Sequence, residues 1–181
     1  MRESAASVAE NGRSALTFEV VVVGAGQAGL AIGYFLARQG RRFVILDRAD
    51  TIASAWRERW ESLTLFTPRR YNSLPGLPFP GDPEGYPTRD EVIAYLERYA
   101  ETFELPVELN SNVRRLSADD CRLGVTDVPG VYFLGLTWQH TRGSALIGWV
   151  KDDAEFIARS AARKEEPGAG APAPARTKER V

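Results

Sequence analysis

At 181 residues the chain has room for one domain, or for one domain with tails. An apolar share of 44% can bury a core, and a formal charge of −1 leaves no electrostatic footprint for nucleic acid or an anionic membrane surface. The single cysteine, Cys121, excludes an internal disulfide and fits a reducing compartment; with the single histidine, His140, it excludes a multi-His or Cys-rich metal site within one chain. No stretch approaches the ~20 continuous apolar residues of a membrane span. The N-terminus lacks the apolar core of a signal peptide, so a cytoplasmic, non-membrane protein is expected.

In chain order, residues 1–16 mix Ser, Ala, Glu and Arg without periodicity and are expected to be a mobile lead-in. Residues 20–23 are four consecutive valines, which suits a strand buried on both faces of a parallel sheet. Gly24, Gly26 and Gly29 follow at G-x-G-x-x-G spacing and open a helix over about 27–38. Ala28, Ala31, Ile32, Phe35 and Leu36 share its apolar face, and Gly40 stops it. Gly24 permits the tight turn, Gly26 lets a pyrophosphate approach the backbone, and Gly29 lets helix and strand pack closely. The helix N-terminus then faces the phosphates. Residues 43–46 supply a second apolar strand ending at Asp47, 23 residues after Gly24. That is close to the roughly 20-residue spacing of a ribose-binding acid. Strand, turn, helix, strand and acid agree, which makes dinucleotide binding the reading. A carboxylate at Asp47 would repel a 2′-phosphate and favours FAD or NAD over NADP. Arg48 weakens that exclusion a little, although a solvated surface arginine is the simpler account of it.

Residues 51–62 read as a short helix with Trp56 and Trp60 on one face, either as core or along a flavin with Arg57 or Arg59 near its phosphates. Residues 63–87 carry six prolines, which forbid helix and interior strand. Phe66, Tyr71, Leu74, Leu77, Phe79 and Tyr86 within it should pack, so an ordered loop over part of a ligand site is expected. Residues 88–103 form a helix opened by a Thr88–Glu91 capping box, with Val92, Ile93, Tyr95, Leu96 and Tyr99 inward. Residues 107–109, 113–116 and 131–136 read as strands, and 117–122 as a polar turn. Residues 137–143 form a polar loop holding His140. Residues 144–163 read as the last helix, with Leu146, Val150, Ala154, Ile157 and Ala161 along one stripe. The tail, residues 164–181, has the composition of a disordered segment.

Several of these stretches, in order, are similar to FAD-dependent oxidoreductases related to flavin-containing monooxygenases. G-A-G-Q-A-G-L, R-A-D-T-I-A-S-A-W-R-E-R-W-E-S-L-T-L-F-T-P, L-P-G-L-P-F-P and Y-P-T-R-D-E-V-I-A-Y-L resemble the N-terminal part. G-V-T-D-V-P-G-V-Y-F-L-G-L-T-W-Q-H-T-R-G-S-A-L-I-G-W-V-K-D-D-A resembles the C-terminal return of the flavin domain. The resemblance implies an α/β, Rossmann-like FAD-binding domain with a central parallel sheet and flanking helices, over residues 17–163 with parts 17–117 and 123–163 joined. Gly24, Gly26, Ala28 and Gly29 would cradle the FAD pyrophosphate, and Asp47, with Arg48 beside it, would hold the ribose. Gln27 would lie near phosphate or flavin, and Trp56 and Arg57 where the cofactor is approached. A backbone contact to adenine is implied at Val113, and a close approach of backbone to the flavin at Gly135. Residues 138–141 and the start of the last helix would border the reactive edge of the ring. His140 is a weak general acid–base candidate against the simpler reading of a hydrogen-bonded structural histidine. Cys121 is read as a non-catalytic thiol.

The family also carries a second dinucleotide-binding unit, for NADPH, between those two parts. Here V-R-R-L passes into R-L-G-V-T-D-V-P-G across a few residues, and no second G-x-G-x-x-G follows. Another nucleotide domain of ~100–150 residues has no room. The expectation is a monooxygenase-type flavoprotein whose nicotinamide domain is absent, so that NADPH is a poor hydride donor. The alternatives are a non-catalytic FAD-binding module served by a separate reductase, and a small NAD-dependent dehydrogenase. The last lacks a Tyr-x-x-x-Lys pair.

Overall fold

The computed structural model describes residues 6–8, 16–116, 121–137 and 139–163. Its centre is a three-stranded parallel sheet in the order β3 (Val20–Val23), β4 (Phe43–Leu46), β5 (Val107–Glu108), with Val20 opposite Phe43 and Ile45 opposite Val107. β4 has neighbours on both sides and every residue of it is buried. β3 has one neighbour, its first three valines are half-buried, and Val23 is 54% exposed. Burial on both faces therefore belongs to β4 and not to β3, because only the central strand is covered on every side. Ahead of the sheet, β1 (Ala6–Val8) pairs antiparallel with β2 (Leu16–Phe18), so part of the expected mobile lead-in is an ordered ribbon.

Helix α1 (Gln27–Arg38) joins β3 to β4 and packs against the sheet and against two later helices, α3 (Arg89–Thr102) and α4 (Val150–Arg163). Being enclosed, it buries Leu30, Ala31, Ile32, Gly33 and Leu36, a wider face than the predicted stripe. Gly40 takes φ +68° just beyond the helix, as a C-terminal glycine does. The helices and sheet close on Leu30, Leu36, Ile45, Leu96, Val150 and Ile157, all essentially without solvent contact.

α3 begins where its capping box predicts. The Glu91 N–H donates to Thr88 Oγ1 at 3.3 Å, and the Thr88 N–H donates to Glu91 Oε2 at 2.8 Å. Thr88→Ala should cost about 1 kcal/mol. The Thr88 N–H, with the Arg69 guanidinium assisting, holds the Glu91 carboxyl below its ordinary 4.5. A depressed acid stabilises the fold above that value and loses the contribution as pH falls through the lowered one. Urea midpoints should therefore separate wild type from Glu91→Gln at neutral pH and converge in acid.

The inward tyrosines of α3 hold the proline-rich loop. Buried Tyr95 accepts from the Leu74 N–H and donates to the Leu77 carbonyl, both at 2.7 Å, and its burial pushes the phenol up to about 12. Tyr99 donates to the Pro75 carbonyl at 2.6 Å. Fully buried Asn72 donates from Nδ2 to the carbonyls of Thr67 and Pro68 and accepts the Thr67 hydroxyl. The loop is ordered as expected and contains one 3₁₀ turn, Arg69–Tyr71. Leu74 and Phe79 are buried, but Phe66, Tyr71 and Tyr86 are exposed, against the expectation that all would pack.

Five other expectations are corrected. Residues 51–62 contain one helical turn, α2 (Ser54–Arg57), entered from Ala53 at φ +60°; Trp60 is outside it and 62% exposed, so the two tryptophans share no face. Residues 113–116 are exposed and form no strand. Residues 131–136 form only a bridge, Tyr132 to Val125. The Phe133 N–H donates to the Gly124 carbonyl and the Leu136 N–H to the Gln139 side chain, which removes those groups from a sheet ladder. Within the predicted turn at 117–122, Cys121–Arg122 form β6, paired with β7 (Val125–Thr126) through Leu123 and Gly124, both at positive φ. This is the two-residue hairpin geometry that a right-handed strand twist favours. The last helix starts at Val150, six residues late, after a 3₁₀ turn at Arg142–Ala145 and an extended Leu146. The tail, residues 164–181, expected to be disordered, lies outside the described residues.

Candidate functional site

The site starts at the end of β3. Gly24 turns the chain at φ +104°, and Gly26 is the N-cap of α1 with extended backbone. Gly29 sits beneath the turn, where a Cβ would stand 1.8 Å from the Gly24 carbonyl oxygen. At Gly24 and Gly26 a Cβ would meet nothing within 4 Å, so the outer side of the turn faces open space. The first N–H groups of α1 have no partner within the helix and point the same way, at its positive end. Asp47 closes the inner side: the Ala25 N–H donates to its Oδ2 at 2.6 Å and the Ala49 N–H to its Oδ1 at 2.9 Å. The β4 carboxylate is thereby fixed beside the glycine turn, and each oxygen keeps lone-pair capacity for a further donor. Arg48 points to solvent.

Gln27, in the first turn of α1, joins two distant segments. Its Oε1 accepts the Trp56 indole N–H at 3.0 Å, and its Nε2 donates to the Ala145 carbonyl at 3.4 Å. Beside them runs a small cleft of about 70 Å³, open to solvent and walled by Trp56, Leu65, Phe66, Asn72 and residues 145–147. The proline-rich loop thus forms one wall and the segment before α4 the other. Gly135, at φ +81°, passes close to α1: a Cβ there would stand 3.0 Å from that of Ala28.

Gly24, Gly26, Gln27, Ala28, Gly29, Asp47, Trp56 and Gly135 therefore converge on one end of α1. The others do not. Arg57 turns away and pairs with Glu97 on α3, Arg59 is exposed, and Val113 lies in the exposed segment after β5. His140 stands on the turn that carries Ala145, with Nδ1 3.3 Å from Asp153 Oδ1. Asp153, Ser144 and Asn72 were missed from sequence. Asp153 had a signal: it is three residues after Val150 and beside Ala154, on the inward stripe of α4.

A parallel βαβ sheet with a glycine turn and an acid at the end of the second strand defines a Rossmann-like domain. The chain belongs to the pyridine nucleotide-disulphide oxidoreductase family, which it matches over residues 21–133, more than half its length. It is 49% identical over 114 residues to a CzcO-like oxidoreductase of Geobacillus kaustophilus, covering 63% of this chain and 33% of that one. It is 46% identical over 100 residues to a probable indole-3-pyruvate monooxygenase, YUCCA7, of Arabidopsis thaliana, covering 55% and 23%. Among solved structures, a flavin-containing monooxygenase from Stenotrophomonas maltophilia superposes with TM-score 0.52 at 45% identity, over 58% of this chain and 32% of that one. These similarities bear out the resemblance to flavin monooxygenases. The chain spans about a third or less of these relatives.

Proposed function

We propose that this chain is the FAD-binding part of a flavin-dependent oxidoreductase of the monooxygenase type. The observation that carries the reading is the contrast within the glycine turn: Gly29 is filled by the Gly24 carbonyl, while Gly24 and Gly26 face open space. A pyrophosphate fits against backbone N–H groups there, at the positive end of α1. Asp47 is held where a ribose hydroxyl can donate to it. The cleft beside Gln27 and Trp56 offers apolar walls to a ring system. Bound FAD would supply electron transfer and oxygen activation. The residues of this chain would bind it, orient it between the loop and the α4 segment, and shield one side of it from water.

The hydride donor of such a protein would be NADPH. One glycine fingerprint is present, and it is assigned to FAD, so we assign no nicotinamide site and read the central NADPH-binding domain as missing. The chain alone is then a weak oxidoreductase, or a flavin module dependent on a separate reductase. The single glycine fingerprint favours that second reading. An anaerobic NADPH addition to the FAD-loaded protein tests this. Flavin absorbance should persist or bleach slowly. Rapid NADPH consumption with stoichiometric oxygenated product would contradict it.

A further inference from the structure

Among the residues that wall the cleft beside Gln27, Phe66 alone is exposed, at 76%. Leu65, Asn72 and Ile147 are buried, and Trp56, Ala145 and Leu146 are half-buried. None of them is charged. Single exposed apolar side chains are common on protein surfaces. This one stands at the mouth of an apolar cleft, where a ligand can give it the burial that the loop does not.

The cleft is too small to enclose a ring system. Its volume is about 70 Å³, against the roughly 150 Å³ of an apolar cavity that takes up benzene. The walls are not free to part. Gly148, on one of them, meets Tyr71, on the other, so closely that a Cβ there would stand 1.5 Å from the Tyr71 carbonyl oxygen. The Trp56 indole is held by Gln27, and Asn72 by Thr67 and Pro68. A flavin therefore lodges one edge in the cleft, and cover for the remainder has to come from the rim.

The backbone on either side of Phe66 is fixed. The Leu65 N–H donates to the Pro87 carbonyl at 2.8 Å, and Thr67 is bonded to Asn72 through both its hydroxyl and its carbonyl. Only the side chain can turn, and a phenyl ring has just two torsions to fix when it settles on a ligand. We infer that Phe66 closes over the ring ligand of the cleft, packs on the part that the walls leave out, and sets how far water and small solutes reach it. The inference rests on the flavin reading of the cleft.

The full chain and Phe66→Ala are to be loaded with FAD. Iodide quenching of the bound-flavin fluorescence is then measured beside the rate of FAD release on dilution. Without FAD the variant should melt within a few degrees of wild type, as an exposed position allows. With FAD, quenching and release should both rise several-fold, and Phe66→Tyr, which keeps a ring, should match wild type. If Phe66→Ala fails to fold, Phe66→Leu, which keeps apolar bulk without the ring, should show the same rises. Yellow wild type and variant with equal quenching and equal release would overturn this inference and leave the flavin reading standing. Folded wild type that takes up no FAD would overturn both.

Discussion

Gly29→Ala is expected to prevent folding. The new Cβ would stand 1.8 Å from the Gly24 carbonyl oxygen, 3.1 Å from its carbon and 3.4 Å from Val22 Cγ1. Two of these atoms are backbone, so no rotamer change relieves the overlap; the turn or the first residues of α1 must move. Both are tied down. Gly24 donates to the Leu46 carbonyl at 2.8 Å and Ala25 to Asp47, while Leu30, one residue on, is fully buried. The cost should exceed about 4 kcal/mol, the range in which single substitutions are exceptional. Where the total lies at the low end of the typical range of about 5–15 kcal/mol, this leaves little or no folded protein. Thermal unfolding checks it: no cooperative transition is expected, and a variant melting within a few degrees of wild type would refute the packing described.

Gly148→Ala should be as damaging for a different reason. Its Cβ would stand 1.5 Å from the Tyr71 carbonyl oxygen and 2.7 Å from the Tyr71 carbon. This contact clamps the proline-rich loop to the segment that leads into α4, the two walls of the cleft. The loop cannot retreat easily, because Asn72 is buried and bonded to Thr67 and Pro68, and Tyr95 and Tyr99 hold Leu74, Pro75 and Leu77. The expected outcome is a loss of several kcal/mol in urea denaturation, or insoluble protein. If the chain stays folded with the walls parted, Trp149, stacked near Tyr71 at 6.3 Å between ring centroids, should change its fluorescence. A stable variant with wild-type fluorescence would contradict the clamp.

What could be read from sequence follows from how local its cause is. The βαβ unit was legible because valine run, glycine spacing, helical stripe and terminal acid are contiguous. α3 was legible because its capping box is a four-residue signal next to an apolar face. Residues 131–136 do not form the expected strand, because an apolar, aromatic run states only that a strand is tolerated. Whether one forms depends on a partner, and here Gly124 and Gln139 take the hydrogen bonds. The delayed start of α4 was hidden in a contact between Gly148 and Tyr71, 77 positions apart. Within the candidate site, the glycine turn and Asp47 are marked by spacing. The Gln27 bridge to Trp56 and Ala145 spans 29 and 118 positions and carries no local mark. Arg57, expected near the cofactor from the short-helix reading and the resemblance, pairs instead with Glu97, 40 positions on in sequence and one turn of α3 away from Ile93. The buried Asp153 was the missed residue with a readable signal, a lone acid on an inward stripe.

The central claim is that the outward side of the Gly24–Gly29 turn binds FAD. It is tested most directly by titrating FAD into the purified chain and into Gly26→Val, following flavin absorbance and fluorescence, with a melting curve for each. Since a Cβ at Gly26 meets no atom of the protein within 4 Å and its backbone is extended, the variant should melt close to wild type. Wild type should take up FAD and turn yellow, and the folded variant should bind it far more weakly, because the side chain fills the space a pyrophosphate needs. Equal FAD uptake by both, or a folded wild type that takes up none, would contradict the account.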